Sequence, residues 1–268
     1  MMTFKNKTAL VTGASSGIGK AIAEKLAAAG CDLILVARNE AALQKLATTL
    51  QNQYGYFVLV IAADLTHPQC APNIYQQIVS KNRRVDILIN NAGFGTYGPF
   101  ESIPAQKEQD EIAVNISALV SLTHAFIPGM LSRHSGKVLN IASTAAFQPV
   151  GFLSVYAATK AFVLSFSEAL WAEYQGRGIH VAALCPPAVN TGFIDKLGDP
   201  AITKTSTFAN TITPEAVAVA ALKALSSSQP THIVGLKNWL MAHSVRLAPR
   251  SLVARSAANK LRPTIISR

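Results

Sequence analysis

A single doubly wound α/β domain, with a parallel sheet of about seven strands and helices on both faces, follows from three features of the sequence. Apolar runs of strand length alternate with helical periods along nearly the whole chain. Several runs are continuous rather than alternating, as in Asp32–Ala37 (DLILVA), and a parallel sheet covered on both faces requires that pattern. The residues that stand out chemically (Thr12, Arg38, Asp64, Asn90, Asn91, Ser143 and Pro186) each follow such a run. Ligands of doubly wound sheets bind beyond the carboxyl ends of the strands, so these residues converge on one edge.

The composition agrees. The chain has 268 residues, half of them hydrophobic and 14% charged, which suits one large core. Charges or prolines interrupt every long apolar stretch, so no membrane span is predicted. Met1–Lys7 lacks the apolar region of a signal peptide. Cys31, Cys70 and Cys185 are odd in number and far apart; they read as free thiols of a reducing cytoplasm, with no disulfide frame and no metal site. The formal charge of +10 is uneven. Eight of the 24 Lys and Arg follow the last acidic residue, Glu215, and the other 16 nearly balance the 14 Asp and Glu.

The elements follow in order. Ala9–Val11 is a strand stopping at Thr12. Gly13, Gly17 and Gly19 then form a glycine turn that opens a helix over Ile18–Ala29, with Gly30 as its C′ residue. Such a turn brings backbone N–H groups and a helix dipole to a phosphate, because no Cβ blocks the approach; alone, it also fits a simple turn. After the strand Asp32–Ala37 come a helix Glu40–Gln51, a strand Tyr56–Ala62 closing at Asp64, and a helix Pro72–Lys81. The strand Val85–Ile89 leads into Asn90-Asn91-Ala92-Gly93 and a loop of glycines and aromatics, 94–100. One long helix is expected over Gln106–Phe126, ended by Pro128-Gly129. Strand Lys137–Ile141, helix Val155–Tyr174 and strand His180–Leu184 complete the pattern up to Cys185-Pro186-Pro187. Ala188–Thr213 has no clear period and suits a lid over a site. A helix Pro214–Leu225 and a short strand Thr231–Val234 close the domain. The division is a catalytic domain over 1–235 and a basic, helical extension over 236–268.

Tyr156 and Lys160 lie one turn apart on one helix face. A free tyrosine, with a pKa of about 10, is too weakly acidic for proton transfer at neutral pH, and a neighbouring ammonium favours the phenolate. Ser143, at a strand end, is placed to hold a substrate oxygen. Asn115 lies in the apolar context VNI, where a buried amide needs partners: it either holds a helix backbone open or anchors a water near the lysine.

Together these residues resemble the classical short-chain dehydrogenase/reductase family. The resemblance runs from about Lys5 to Val234 and rests on Thr12-Gly13-x-x-x-Gly17-Ile18-Gly19, Asp64, Asn90-Asn91-Ala92-Gly93, Asn115, Ser143, Tyr156 and Lys160, in matching order and spacing. It implies a Rossmann fold and an oxidoreductase that passes hydride between a nicotinamide and a carbonyl or secondary alcohol. It makes Tyr156 the acid/base, has Lys160 tune it and bind ribose, has Ser143 position the substrate oxygen, and puts Asn115 in a proton relay. By the same resemblance Gly13, Ser15, Ser16, Gly17, Ile18 and Gly19 cradle the cofactor phosphates. Asp64 and Leu65 contact adenine, Asn91, Ala92 and Gly93 line mid-pocket, and Pro186, Val189 and Thr191 meet the nicotinamide end. One departure stands out: Pro187 occupies a position where the family has glycine. The family also implies a homodimer or homotetramer through the long helices. A dehydratase or isomerase of the same fold, and an idle dinucleotide sensor, are the alternatives.

An acidic residue after the second strand would bind the ribose hydroxyl of NAD, whereas an arginine accommodates the 2′-phosphate of NADP. Here Arg38 follows directly, with Ser15 and Asn39 as further donors, so NADP(H) is predicted. Phe94, Phe147 and Phe193, with Tyr97, Phe152, Val189 and Phe208, are candidate walls for an apolar or bulky substrate. The extension carries seven basic and no acidic residues, with Leu236, Trp239 and Leu240 at helical spacing. It suits an anionic membrane surface, an acidic carrier protein, or packing on the domain or a second subunit. No recognition motif for nucleic acid accompanies the charge.

Overall fold

The computed structural model describes residues 4–193, 197, 202, 205, 208 and 211–263. Its seven strands are β1 (Thr8–Thr12), β2 (Asp32–Ala37), β3 (Val58–Ala62), β4 (Ile87–Asn90), β5 (Gly136–Ile141), β6 (Ile179–Cys185) and β7 (Thr231–Ile233). They form one sheet in the order β3-β2-β1-β4-β5-β6-β7, and every adjacent pair is parallel. The chain order reverses between β1 and β4, which is the crevice where a doubly wound sheet takes its ligand. The expected fold class is therefore the observed one.

Helices α1 (Gly17–Ala28), α2 (Glu40–Tyr54) and α7 (Pro214–Ser226) cover one face. Their side chains Ile22, Leu26, Leu43 and Val217 are fully buried against Ala9, Val11, Leu33 and Leu35. Helices α3 (Cys70–Val79), α5 (Leu119–Ser132) and α6 (Ser154–Glu173) lie on the other, where Ile74, Leu122 and Met130 meet Leu10, Ile34, Leu88 and Val138. This burial explains the unbroken apolar strands: both sides of β1 and β2 face a helix layer. Local signals set the ends. Gly30 at φ 95° follows the last turn of α1, and Asn39 caps α2 by accepting from Ala42 N at 3.0 Å.

The long helix departs from expectation. It begins as α4 (Ala105–Ile112), passes through a π-helical turn over Ala113–Ala118, and continues as α5 to Ser132. Pro128 and Gly129 sit inside it rather than ending it. Burial of Phe126, Ile127 and Met130 outweighs the interior proline, whose intrinsic cost is about 3 kcal/mol. The continuous stretch Ala105–Ser132 is thereby long and apolar enough to cross a membrane, contrary to the sequence expectation, but it packs on the sheet and carries buried Glu108, Glu111 and Asn115.

Much of the expected lid lies outside the described residues; its flanks pair through a bridge between Val189 and Ile212. The basic extension forms α8 (Leu236–Ser244) and α9 (Arg250–Leu261). Helix α9 buries Ala257 and Leu261 near the loop after β4, where Tyr97 Oη donates to Leu261 O at 2.7 Å. Helix α8 buries Ala242 and leaves Leu236, Trp239 and Leu240 exposed, so its apolar stripe faces away from the domain.

Helix α9 sits so close to Gly151 that an added Cβ would lie 2.8 Å from Ala258 Cβ. Gly151→Val should therefore displace α9 and leave the sheet intact, an overpacking cost of about 1–3 kcal/mol. Faster amide exchange and proteolysis confined to residues 250–261 are the expected readouts; protection equal to wild type there would count against this packing.

Candidate active site

The site grows from the junction of β1 and β4. Thr12, the last residue of β1, turns its buried hydroxyl across the crevice. Its Oγ1 accepts from Asn91 N at 3.0 Å and Ala92 N at 2.9 Å, and donates to Ile89 O. In return Asn91 Nδ2 donates to Thr12 O at 2.8 Å. These bonds lock the loop after β4 against the glycine turn. Gly13 sits at φ 65° and Gly17 at φ 53°, and a Cβ on Gly13 would lie 2.8 Å from Asn91 Nδ2. Glycine is required at both for conformation and close approach. Gly19 is needed for close approach alone, since a Cβ there would strike Gly13 O and Asn91 Nδ2.

Helix α1 starts at Ser16 without any side-chain cap, so its first N–H groups point to the crevice unspent. Pro187, in place of the family's glycine, needs no left-handed backbone, and Pro186 O accepts from Thr144 N at 3.0 Å. Thr191 stands over the turn, 3.1 Å from where a Cβ of Gly17 would be.

A cavity of about 910 Å³ opens along this edge. It brings together Gly13, Ser15, Ser16, Gly17, Ile18, Arg38, Asn39, Asp64, Leu65, Asn91, Ala92, Gly93, Ser143, Tyr156, Lys160, Pro186, Val189 and Thr191. Gly19 lies behind it. Asn115 lies behind it too, buried, accepting from Phe94 N at 3.2 Å and donating to Phe94 O at 2.9 Å and Thr159 Oγ1 at 3.0 Å. Asn115 sits within the π-helical turn, which accommodates an extra residue in the helix just where its amide grips the loop. Phe94, Phe193 and Phe208 line the cavity. Phe147 does not: it packs with Leu119, Val163 and Phe166 on the far side of the short helix 144–147, because Ser143 caps that helix through Ala145 N and turns the residues after it away. Tyr97 and Phe152 support the wall from behind, beside Leu153 and Leu261.

Arg38 is exposed at the cavity edge, forms no ion pair among the described residues, and helps hold the Asp64 carboxyl below its usual range, after the Thr66 backbone bond. Asn39 has already spent its side-chain oxygen on capping α2. The fit to a nicotinamide dinucleotide is physical: a glycine cradle that a Cβ would fill, an uncapped helix N-terminus for a pyrophosphate, and a cation beyond β2.

At the other end, Lys160 is buried and its Nζ donates to Ile141 O at 2.8 Å. Its Nζ lies 5.7 Å from the centre of the Tyr156 ring, which leans on Phe193 at 5.4 Å. The proton affinities differ from the sequence expectation. Burial pushes the Tyr156 phenol up to about 12, against a hydrogen bond with Ser143 that favours the phenolate, and the charge of Glu111 adds to the rise. Burial pushes Lys160 down to about 8, opposed by Glu111. Desolvation outweighs the Ser143 bond, which leaves the Tyr156 phenol protonated at neutral pH.

Known proteins share this arrangement. The model of the short chain dehydrogenase family matches residues 7–201. The chain belongs to that family. A ketoacyl reductase, HetN, from Nostoc sp. is 32% identical over 236 residues, covering 87% of this chain and 80% of that one. A very-long-chain 3-oxoacyl-CoA reductase from Anas platyrhynchos is 37% identical over 202 residues, 73% of this chain; the match spans 64% of that protein's length. A short-chain dehydrogenase from Sphingobium yanoikuyae, solved in complex with NADPH, superposes with a TM-score of 0.80 at 34% identity, over 90% of this chain and 94% of that one.

Sequence reasoning missed two groups. Met241, Ala257, Lys260 and Leu261 of α8 and α9 line the cavity, although they lie about a hundred residues from Tyr156. The only signal was the apolar spacing of the extension. Glu111 and Thr96, hydrogen-bonded at 2.8 Å behind the site, were also missed; α4 is polar along nearly its whole length, so nothing in the sequence marks one of its carboxylates as buried.

Proposed function

We propose that the protein is an NADPH-dependent reductase of bulky, apolar carbonyl compounds of the ketone, steroid or 3-oxoacyl type. The observation that carries this reading is Tyr156 beside Ser143, at the apolar end of a cavity whose polar end carries Arg38 and no carboxylate at the close of β2. The reduced nicotinamide, when bound, supplies hydride to the carbonyl carbon. Ser143 and Tyr156 hold the carbonyl oxygen, and Tyr156 Oη delivers the proton as negative charge develops there. Lys160 stabilises the phenolate left behind and offers donors to a ribose. Phe94, Phe193, Leu153 and Leu261 exclude water around the reacting carbon. Arg38 takes the 2′-phosphate, with Ser15 beside it. The ketoacyl and very-long-chain 3-oxoacyl-CoA substrates named for two relatives suit an apolar wall of this kind. We place the protein in the cytoplasm, as a homodimer or homotetramer through the faces of α5 and α6.

A bulky ketone and a 3-oxoacyl thioester should both oxidise NADPH. Tyr156→Phe should lower that rate by about 10²- to 10⁴-fold while NADPH still binds. Near wild-type reduction by the variant would favour a dehydratase, isomerase or sensor. Arg38→Asp should weaken NADPH about ten- to a hundredfold, equal to about 1.5–3 kcal/mol, and spare NADH. An unchanged preference would remove the NADP assignment.

The same reading has its substrate reach the enzyme from a lipid surface. The exposed Leu236, Trp239, Leu240 and Leu247 are joined by Lys237, Arg246, Arg250 and Arg255, while Met241 reaches from the same helix α8 to the cavity. With no acidic residue in this segment, a second copy would repel it, and an anionic bilayer is its complement. The protein should sediment with phosphatidylglycerol vesicles and not with phosphatidylcholine, and Trp239→Ser with Leu240→Ser should lose that binding. Equal recovery with both lipids, or binding to an acidic carrier protein alone, would contradict it.

A further inference from the structure

Glu111 lies behind the cavity rather than in its lining, on the same helix as Lys107 and Asp110, which do line it. It lies on the last turn of α4, one turn before Asn115, and is wholly shielded from solvent. Its Oε2 accepts from Thr96 Oγ1 at 2.8 Å; its Oε1, also buried, has no partner among the described residues. A carboxyl that merely fills a core has both oxygens capped, since an unpartnered buried anion costs several kcal/mol.

The loop after β4 links Glu111 to the reacting groups in four residues. A Cβ on Gly93 would lie 2.8 Å from Asn115 Oδ1 and 3.5 Å from Lys160 Nζ. A Cβ on Gly95 would lie 3.0 Å from the Tyr156 ring, and Thr96 then bonds Glu111. The groups facing this cluster are few. From α4 come buried Glu108 and the half-buried Lys107 and Asp110 at the cavity wall; from α6 come Tyr156, Thr159 and Lys160; from β6 comes the Cys185 thiol. Among the described residues Lys160 is thus the one buried cation near Glu111 and Tyr156.

We propose that Glu111 is a positioning residue for the proton chemistry: its carboxylate shares Lys160 with Tyr156, and its ionisation sets the pH range in which Tyr156 gives up its proton. This rests on the reductase reading above. Burial raises the Glu111 carboxyl to about 7, opposed by the Thr96 bond and by Lys160. Its titration therefore falls within the working range. The signs run together. As the carboxylate forms, it raises Tyr156 and Lys160 alike, keeping the phenol protonated and the ammonium charged. Losing it lowers both, so carbonyl reduction fails at lower pH.

The test is the pH profile of kcat/KM for NADPH-dependent ketone reduction by Glu111→Gln. Its basic limb should move to lower pH by half a unit or more, so that the ratio to wild type falls progressively between pH 6 and pH 9. Glu111→Asp should restore part of the shift. Thr96→Val, which removes the donor favouring the carboxylate, should move the limb the same way by less, and it decides the matter if Glu111→Gln does not fold. A profile parallel to wild type, lowered by one factor at every pH, would overturn the proposal. A second arm needs no substrate: infrared difference spectra of the free protein should show a protonated carboxyl band that is lost through neutral pH and is missing in Glu111→Gln. A titrating band without any carbonyl turnover in wild type would support the Glu111 assignment and fault the reductase reading; a carboxyl ionised from pH 5 to pH 9 would overturn the assignment itself.

Discussion

Lys160 is the only lysine or arginine among the buried residues described, and the site is arranged around keeping that charge where it is. A buried ammonium survives only if its donors are met and a counter-charge is near. The end of β5 meets one donor through Ile141 O, and Glu111 of α4 favours the charge from behind without an ion pair among the described residues. Helix α6 brings Tyr156 one turn away, and the loop after β4 passes close enough that glycine is needed at 93. That loop is fixed in turn by the Thr12 hydroxyl, which ties it to the glycine turn. The dinucleotide cradle and the proton-transfer groups are therefore one connected structure, joined at the β1–β4 crevice.

The consequence for chemistry is that burial, not the lysine, dominates the resting tyrosine. The Ser143 hydrogen bond, which favours the phenolate, does not offset its desolvation. Tyr156 is thus held in the protonated form, the form that the proposed carbonyl reduction needs at the start of a turnover. A bound nicotinamide and a substrate oxygen alter that balance at the moment of reaction, when negative charge develops on the oxygen that Ser143 and Tyr156 flank.

Much of this was legible in the sequence, and the reasons are local. Continuous apolar strands, the glycine spacing and the residues after each strand specify the sheet, its switch point and one shared edge, because a parallel sheet repeats the same unit. What failed needed long-range packing. Pro128 reads as a helix end, yet α5 continues because its far side is buried. Phe147 reads as a pocket wall, yet the cap at Ser143 turns it into a different cluster. The boundary near residue 235 marks where the strand-and-helix pattern ends, and the cavity crosses it: Met241 and Leu261 line the same cavity as Tyr156. Glu111 was hidden for a similar reason, since only the fold brings a residue of α4 behind one of α6.

The most direct test of this account is single-turnover oxidation of NADPH with a bulky apolar ketone, by wild type and by Lys160→Met, from pH 6 to pH 10. Lys160, lowered by burial to about 8, is charged below that pH and loses its charge above it. The wild-type rate should accordingly fall as pH rises through about 8. In Lys160→Met the rate should be lower by about two orders of magnitude or more and should lack that limb. A variant that keeps the same limb, or a wild type whose rate does not change across it, would contradict the claim that one buried cation governs the site.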